Sequence, residues 1–314
     1  MLDEYRKTVA AQTLWATTAQ TAPWNIAFQN HVRALPRLAR LTLNLSLQCR
    51  LRLRNTYAAR HLRGQGMEIG AQYVPTQVGE GASVEYVDVL SNDELVARYR
   101  LPADGLVPLA HVIDGHDLKV YPDNALDFLI ANHVLEHFDD ALKGMIEWFR
   151  TIKPGGHLFI TLPNFRGNCF DYERAPERAD HFLLDYTCPE GREARNRLHY
   201  EDMAKSLLHL PRDHPDVQNM VDRWIANGDR HHYHVWDETA LQELLEVAAK
   251  EMQCDLMLVD GSFPKNGFEL LAVVRKGHPG GALEWRAPKI RAAVTFCKAV
   301  YDDIQSYQRN LSMA

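Results

Sequence analysis

"ALDFLIANHVLEHFDD", residues 125–140, holds two patterns that lead to different folds. Its second half contains His133, Glu136 and His137 in H-x-x-E-H order, a spacing that holds zinc in one class of peptidases. Its first half is a nearly unbroken apolar run, which reads as a buried strand of a parallel sheet. A helix can then begin only near Asn132, so the H-x-x-E-H straddles a strand end. A zinc peptidase needs both histidines in mid-helix, a third ligand downstream and a glutamate on a metal-bound water. The strand reading prevails, no metal is expected, and His137 is assigned to a pocket rim or to the structure.

Runs of the same kind lie on either side: "GMEIGA" (66–71), "SVEYVDVL" (83–90), "LAHVID" (109–114) and "GHLFITLPN" (156–164). Between them "NDELVARYR" and "DDALKGMIEWFRTIK" have helical spacing, the second with Leu142, Met145, Ile146 and Phe149 on one face. Two further runs, "CDLMLVDGSF" and "FELLAVVRK", read as a terminal antiparallel pair. The expected fold is α/β: a Rossmann-like, mostly parallel sheet of seven strands with helices on both faces. In such sheets ligands bind outside the carboxyl ends of the strands.

The strand ends therefore carry the candidate chemistry. Gly70 allows a tight turn and a close backbone approach. "GAQYVP" lacks the later glycines of a dinucleotide fingerprint, which disfavours a pyrophosphate cofactor. Asp88, twenty residues beyond Glu68, can accept both hydroxyls of a ribose. Asp114 can accept from an exocyclic amino group, and Gly115 leaves room for a flat ring, although an ordinary Asp-Gly turn explains that pair equally well. Together these ends describe a nucleoside pocket without phosphate-binding machinery.

The segments "MEIGA", "VEYVDVL", "VIDGHDL", "YPDNALDFLIANHVLEHFDD" and "TIKPGGHLFITLPN", in this order and spacing, resemble the class I S-adenosylmethionine-dependent methyltransferases. The likeness is to a bacterial group with a degenerate E-I-G-A-x-x-x-P first motif. It covers roughly residues 64–164 and resumes from "YHVWDETALQELLE" to "FELLAVVRK". The resemblance implies S-adenosyl-L-methionine as cofactor. It places Glu68, Gly70 and the adjacent Ala71 against the methionine part, Asp88 on the ribose, Asp114 and Gly115 at the adenine, and Asn132 with His133 beside the sulfonium. Ala71 and Gln72 stand where many relatives have a small residue and a glycine.

Residues 165–233 are polar, rich in His, Arg, Asp and Glu, and lie between the fifth strand and the next core helix. They are expected to form a helical cap that recognises substrate. Asp237 is positioned to cap the following helix. His232 and His234 are candidate proton acceptors beside His133, with His199 a further one in the cap. His231, His232 and His234 are not expected to hold a metal, because alternating histidines before a helix more often face solvent or hydrogen-bond.

The expected division is an N-terminal, mainly helical arm (1–63), a core in two parts (64–164 and 234–277) around the cap (165–233), and a C-terminal helix (278–314). Between Tyr5 and Met67 there are ten Lys and Arg and no acid, whereas the whole chain carries a net charge of −6, so a basic arm precedes an acidic body. Within the arm, residues 41–54 alternate apolar and polar, which favours a strand, while their flanks read as helical. The arm is expected to pack on the body, with a lipid headgroup, a nucleic acid or a partner surface as the alternative; the terminal helix is expected on the core or on a second subunit, as in a homodimer. Five scattered cysteines without C-x-x-C spacing argue for reduced thiols, and the charged start argues against a signal peptide, so a cytoplasmic protein is expected. No apolar run reaches the ~18 residues of a membrane span.

The expected function is O-methylation of a small polar acceptor, such as a sugar or glycan precursor. That choice follows the group resembled and the histidine-rich cap. RNA methylation is one alternative, opposed by the acidic body and by the lack of interleaved aromatic and basic residues. A cofactor-binding scaffold is the other, opposed by Asp88.

Overall fold

A computed structural model describes residues 37–99, 104–168, 171, 173–265 and 267–286. One sheet has the strand order β3-β2-β1-β4-β5-β7-β6-β8. The strands are β1 (Gly64–Ile69), β2 (Ala82–Asp88), β3 (Leu109–Val112), β4 (Leu126–Asn132), β5 (Ile152–Pro163), β6 (Cys254–Ser262), β7 (Glu269–Pro279) and β8 (Leu283–Glu284). The first five are parallel, and β7 runs antiparallel to both β5 and β6. The seven expected strands are thus joined by an eighth, a two-residue pairing with β6 too short to leave a periodic signal.

Burial explains the strand assignments. In β4 five of seven residues are buried, the continuous pattern of a strand covered on both faces. β1 lies against it so closely that a Cβ on Gly66 would stand 2.2 Å from the Phe128 ring. The helix α3 (Ala141–Thr151) begins where the Asp140 carboxylate accepts from Lys143 N at 2.9 Å, and it buries Leu142, Met145, Trp148 and Phe149. The helix α7 (Glu238–Met252) is capped by Asp237, as its spacing predicts, and buries Leu241, Leu244 and Leu245.

The sheet belongs to a compact unit of Tyr57–Val89 and Val107–Pro288. The helix α1 (Arg37–His61) ends in this unit, where Tyr57 Oη donates to the Gly261 carbonyl and Arg60 and His61 both meet Asp260 Oδ2 at 2.8 Å. The strand-like alternation at 41–54 is overridden: Leu, Gln and Arg are good helix formers, and no partner strand pairs that stretch. The helix α2 (Asn92–Tyr99) falls in the other unit, its start closed by Ser91 and Glu94, which bond each other's backbone. Residues 1–36 of the expected arm and 287–314 of the expected C-terminal helix lie outside the described residues; residues 278–286 of that expected helix instead end β7 and form β8, paired with β6. Among the described residues no helix is long and apolar enough to cross a membrane.

The cap holds three helices, α4 (Ala179–Thr187), α5 (Arg192–Leu208) and α6 (Pro215–Ala226). It has a small core of its own, with Tyr200, Ala204, Val217, Val221 and Tyr233 packed together. Tyr200 and Tyr233 also share a hydroxyl–hydroxyl hydrogen bond of 2.5 Å.

One half-buried histidine makes stability depend on pH. His157 on β5 is pushed down to about 4 by burial, helped by His61 and Arg275 nearby. The unfolded chain then binds the extra proton first, between the ordinary value near 6.5 and about 4, so stability falls as pH drops through that window. After allowance for partial solvent contact the loss is of order 2 kcal/mol. Denaturant unfolding at pH 7.5 and pH 4.5 should show that His157→Gln removes this part of the pH dependence; identical slopes for the two proteins would contradict the assignment.

Candidate active site

The chain order β1-β2-β3 runs outward on one side of β1, and β4-β5 runs outward on the other. The crevice at this switch point lies at the carboxyl ends of β1, β2 and β4. Gly70 ends β1 with φ +69°, and a Cβ there would meet only Val134 Cγ2, at 3.5 Å. Ala71 follows, buried, and Gln72 takes a second left-handed position with φ 52°, so the turn is made without a second glycine.

Glu68 is fully buried, and its carboxylate lies beneath this turn rather than open to a ligand. It accepts from Thr76 N at 2.9 Å, Thr76 Oγ1 at 2.8 Å and Asn132 Nδ2 at 2.9 Å. Asn132 in turn accepts from Thr161 Oγ1 at 3.0 Å. The network ties the loop after β1 to β4 and β5. The polar groups of Glu68 and Asn132, both expected beside a cofactor, hold the loop's shape.

Asp88 ends β2, nearly buried, and its carbonyl accepts from Ile113 N at 2.8 Å. Asp114 accepts from His116 N at 3.0 Å and from Arg230 of the cap at 2.6 Å. The His116 imidazole, its Nδ1 3.2 Å from Oδ1, and then the Arg230 guanidinium hold its carboxyl well below the usual range against the opposing effect of burial. The room expected at Gly115 for a flat ring is taken by Phe138, whose Cζ would lie 2.6 Å from a Cβ there. His116 stacks on the same Phe138 ring, with centroids 3.8 Å apart.

The turn after β4 carries the most chemistry. His133 has φ 53°, a strained backbone for a residue with a side chain, secured by its N–H to the Thr161 carbonyl at 3.0 Å. Its imidazole stands between two buried glutamates, Nε2 3.1 Å from Glu269 Oε2 and Nδ1 3.3 Å from Glu136 Oε1. Burial pushes the Glu136 carboxyl up, but the imidazoles of His133, His137 and His232 more than offset it, and it stays ionised.

Two candidate histidines two residues apart diverge. The ring of His232 lies 5.1 Å from that of His137, and its Nδ1 is 2.7 Å from Asp171 Oδ2. His234 has no exposed surface; its Nε2 meets Asp185 Oδ2 at 3.1 Å, among the rings of His181, Phe182 and His199. Residues two apart share a side of a straight extended segment, but the chain bends at His234, so His232 stays beside His137 while His234 turns into the cap. His234, expected as a proton acceptor, is a buried group held by Asp185. His199 stays neutral, pushed down to about 2 by burial and the surrounding positive groups. It lines a polar cavity of about 360 Å³ within the cap, together with Glu173, Arg174, Glu177 and His181. Thr76, Asp171 and Arg230 had no local signal in the sequence, because each is assigned by a partner distant along the chain.

Comparisons with known proteins agree with this placement of the core. Residues 64–160 match the family model described as a methyltransferase domain. Over 85 residues the chain is 28% identical to the ubiquinone/menaquinone biosynthesis C-methyltransferase UbiE of Hydrogenovibrio crunogenus, covering 27% of this chain and 34% of that protein. The match thus spans about a third of the relative's length. Among solved structures, the chain is similar to the Burkholderia thailandensis 1,6-didemethyltoxoflavin-N1-methyltransferase with bound S-adenosylhomocysteine (15% identity, 72% and 78% of the two chains, TM-score 0.41). An S-adenosylmethionine-dependent methyltransferase from Mesorhizobium loti is similar at 14% identity, over 70% and 95% of the chains, with a TM-score of 0.39. Residues 64–160, which hold β1 to β4 and most of β5, the five parallel strands of the sheet, thus match a methyltransferase domain.

Proposed function

We propose that the protein transfers the methyl group of S-adenosylmethionine to a hydroxyl of a small polar acceptor, a sugar or glycan precursor. The observation that carries the reading is the convergence of Gly70, Asp88 and His133 at neighbouring strand ends, with His232 of the cap brought against the same turn. The residues fit such a cofactor: the open approach over Gly70 suits the methionine part, and Asp88 suits the ribose diol. Glu68 and Asn132 contribute through the loop they hold. Bound there, the cofactor supplies a methyl group that is already electrophilic.

What remains for the protein is to align the acceptor, exclude water and take the hydroxyl proton. Asp171 accepts from His232 Nδ1, which leaves Nε2 as the nitrogen with the lone pair. That nitrogen is the proposed proton acceptor, in the pattern of a base oriented by a carboxylate. The charged groups of Glu173, Arg174 and Glu177 in the cap cavity suit a polar acceptor.

The test is calorimetric titration of the full chain with S-adenosylhomocysteine, followed by methyl transfer from labelled cofactor to a panel of nucleotide sugars and glycans. Micromolar binding and label on an acceptor hydroxyl are expected. No heat from folded, cofactor-free protein would sink the reading, and label on carbon or nitrogen alone would refute O-methylation.

A further inference from the structure

The turn after β4 and the tip of the cap place three donors of one kind together. A carboxylate oxygen of Glu136 and one ring nitrogen each of His137 and His232 lie within 4.8 Å of one another. Glu136 has no exposed surface, and its carboxylate faces the imidazoles of His133, His137 and His232, with His133 Nδ1 3.3 Å from Oε1, a costly position for a carboxylate. The two imidazoles are fixed from behind. His137 Nδ1 donates to the Arg230 carbonyl at 3.0 Å, and His232 Nδ1 donates to Asp171 at 2.7 Å. Metal-binding histidines are held in this way, the far N–H on a carbonyl or carboxylate and the other nitrogen turned to the ion.

We propose that Glu136, His137 and His232 bind a divalent transition-metal ion in the acceptor side of the crevice. Two imidazoles and one carboxylate on one side of an ion leave its remaining positions open to water or substrate. Bonds of about 2.0–2.2 Å bring such donors to about 3–4 Å apart, so the three side chains close by of order 1 Å on binding. The H-x-x-E-H run thus supplies two ligands from a turn, and the cap supplies the third.

The inference rests on the proposed methyl transfer and changes the part played by His232, whose Nε2 holds the ion instead of the proton. An acceptor hydroxyl in an open position is acidified by the ion. Its O–H bond breaks with the proton passing to solvent, and its oxygen bonds to the methyl carbon as the carbon–sulfur bond breaks. A diol or hydroxy-acid acceptor, able to offer two oxygens, fits the open positions best.

The test is titration of the chelator-stripped full chain with Co(II), read by its visible absorption, and with Mn(II), read by electron paramagnetic resonance. One ion per chain is expected. Glu136→Gln and His232→Ala should each weaken binding at least about tenfold, and Asp171→Asn by roughly tenfold through His232. His199→Ala should leave it unchanged, which separates this site from the second cluster of His181, Asp185, His199 and His234 in the cap. If Glu136→Gln fails to fold, as circular dichroism would show, His232→Ala decides. Absence of saturable binding, binding indifferent to His232→Ala, or loss with His199→Ala would overturn the proposal. S-adenosylhomocysteine titration of the same stripped protein keeps the outcomes apart: cofactor binding without ion binding refutes the metal site and leaves the methyltransferase reading standing.

Discussion

Replacing Asp88 with alanine is expected to weaken S-adenosylhomocysteine binding by roughly ten- to a hundredfold, the worth of hydrogen bonds to a charged acceptor. The carboxylate stands at the end of β2, next to the Gly70 turn across the β1–β2 pairing. Its place at the end of β2 suits a ribose diol, whereas Glu68 is covered by its own loop and Asp114 is engaged by Arg230. Asp88→Asn should fall between wild type and alanine, because an amide keeps one acceptor oxygen. Calorimetry on the three proteins at one salt concentration reads the series. Equal affinities would place the ribose elsewhere.

Glu68→Ala is expected to cost about 3–5 kcal/mol of stability, since it leaves buried donors on Thr76 and Asn132 without their acceptor. In a chain of this size that corresponds to a fall in Tm of roughly 10 °C. Affinity for the cofactor should fall with it, because the loop after β1 loses its tie to β4. Glu68→Gln, of the same shape, should recover part of both. Thermal unfolding of the two variants checks this, and a Glu68→Ala midpoint within two or so degrees of wild type would contradict it.

The sheet was legible because parallel strands must be buried on both faces, and "LDFLIA" or "HLFITL" can be little else between turn residues. The Gly70 turn and the Asp88 strand end were legible for a similar reason: each is set by its own local sequence. Side-chain alliances were not. Asp114 meets Arg230 across 116 positions of chain, and His232 meets Asp171 across 61, distances over which no periodicity speaks. Phe138 filling the space at Gly115 depends on how α3 docks, which follows from packing. The divergence of His232 and His234 was not legible either, since neighbours two apart on an extended segment share a face unless the segment bends. Here the chain bends at His234 before pairing with Asn164 through Trp236, and the two rings part.

The most direct test of the whole reading is a crystal structure of the chain grown with S-adenosylhomocysteine. The expected result is density in the crevice between the ends of β1, β2 and β4, with the ribose hydroxyls on the Asp88 carboxylate, the amino-acid part over Gly70 and the sulfur toward His133. Density for the ligand outside that crevice, or a crevice left empty at saturating ligand, would contradict it.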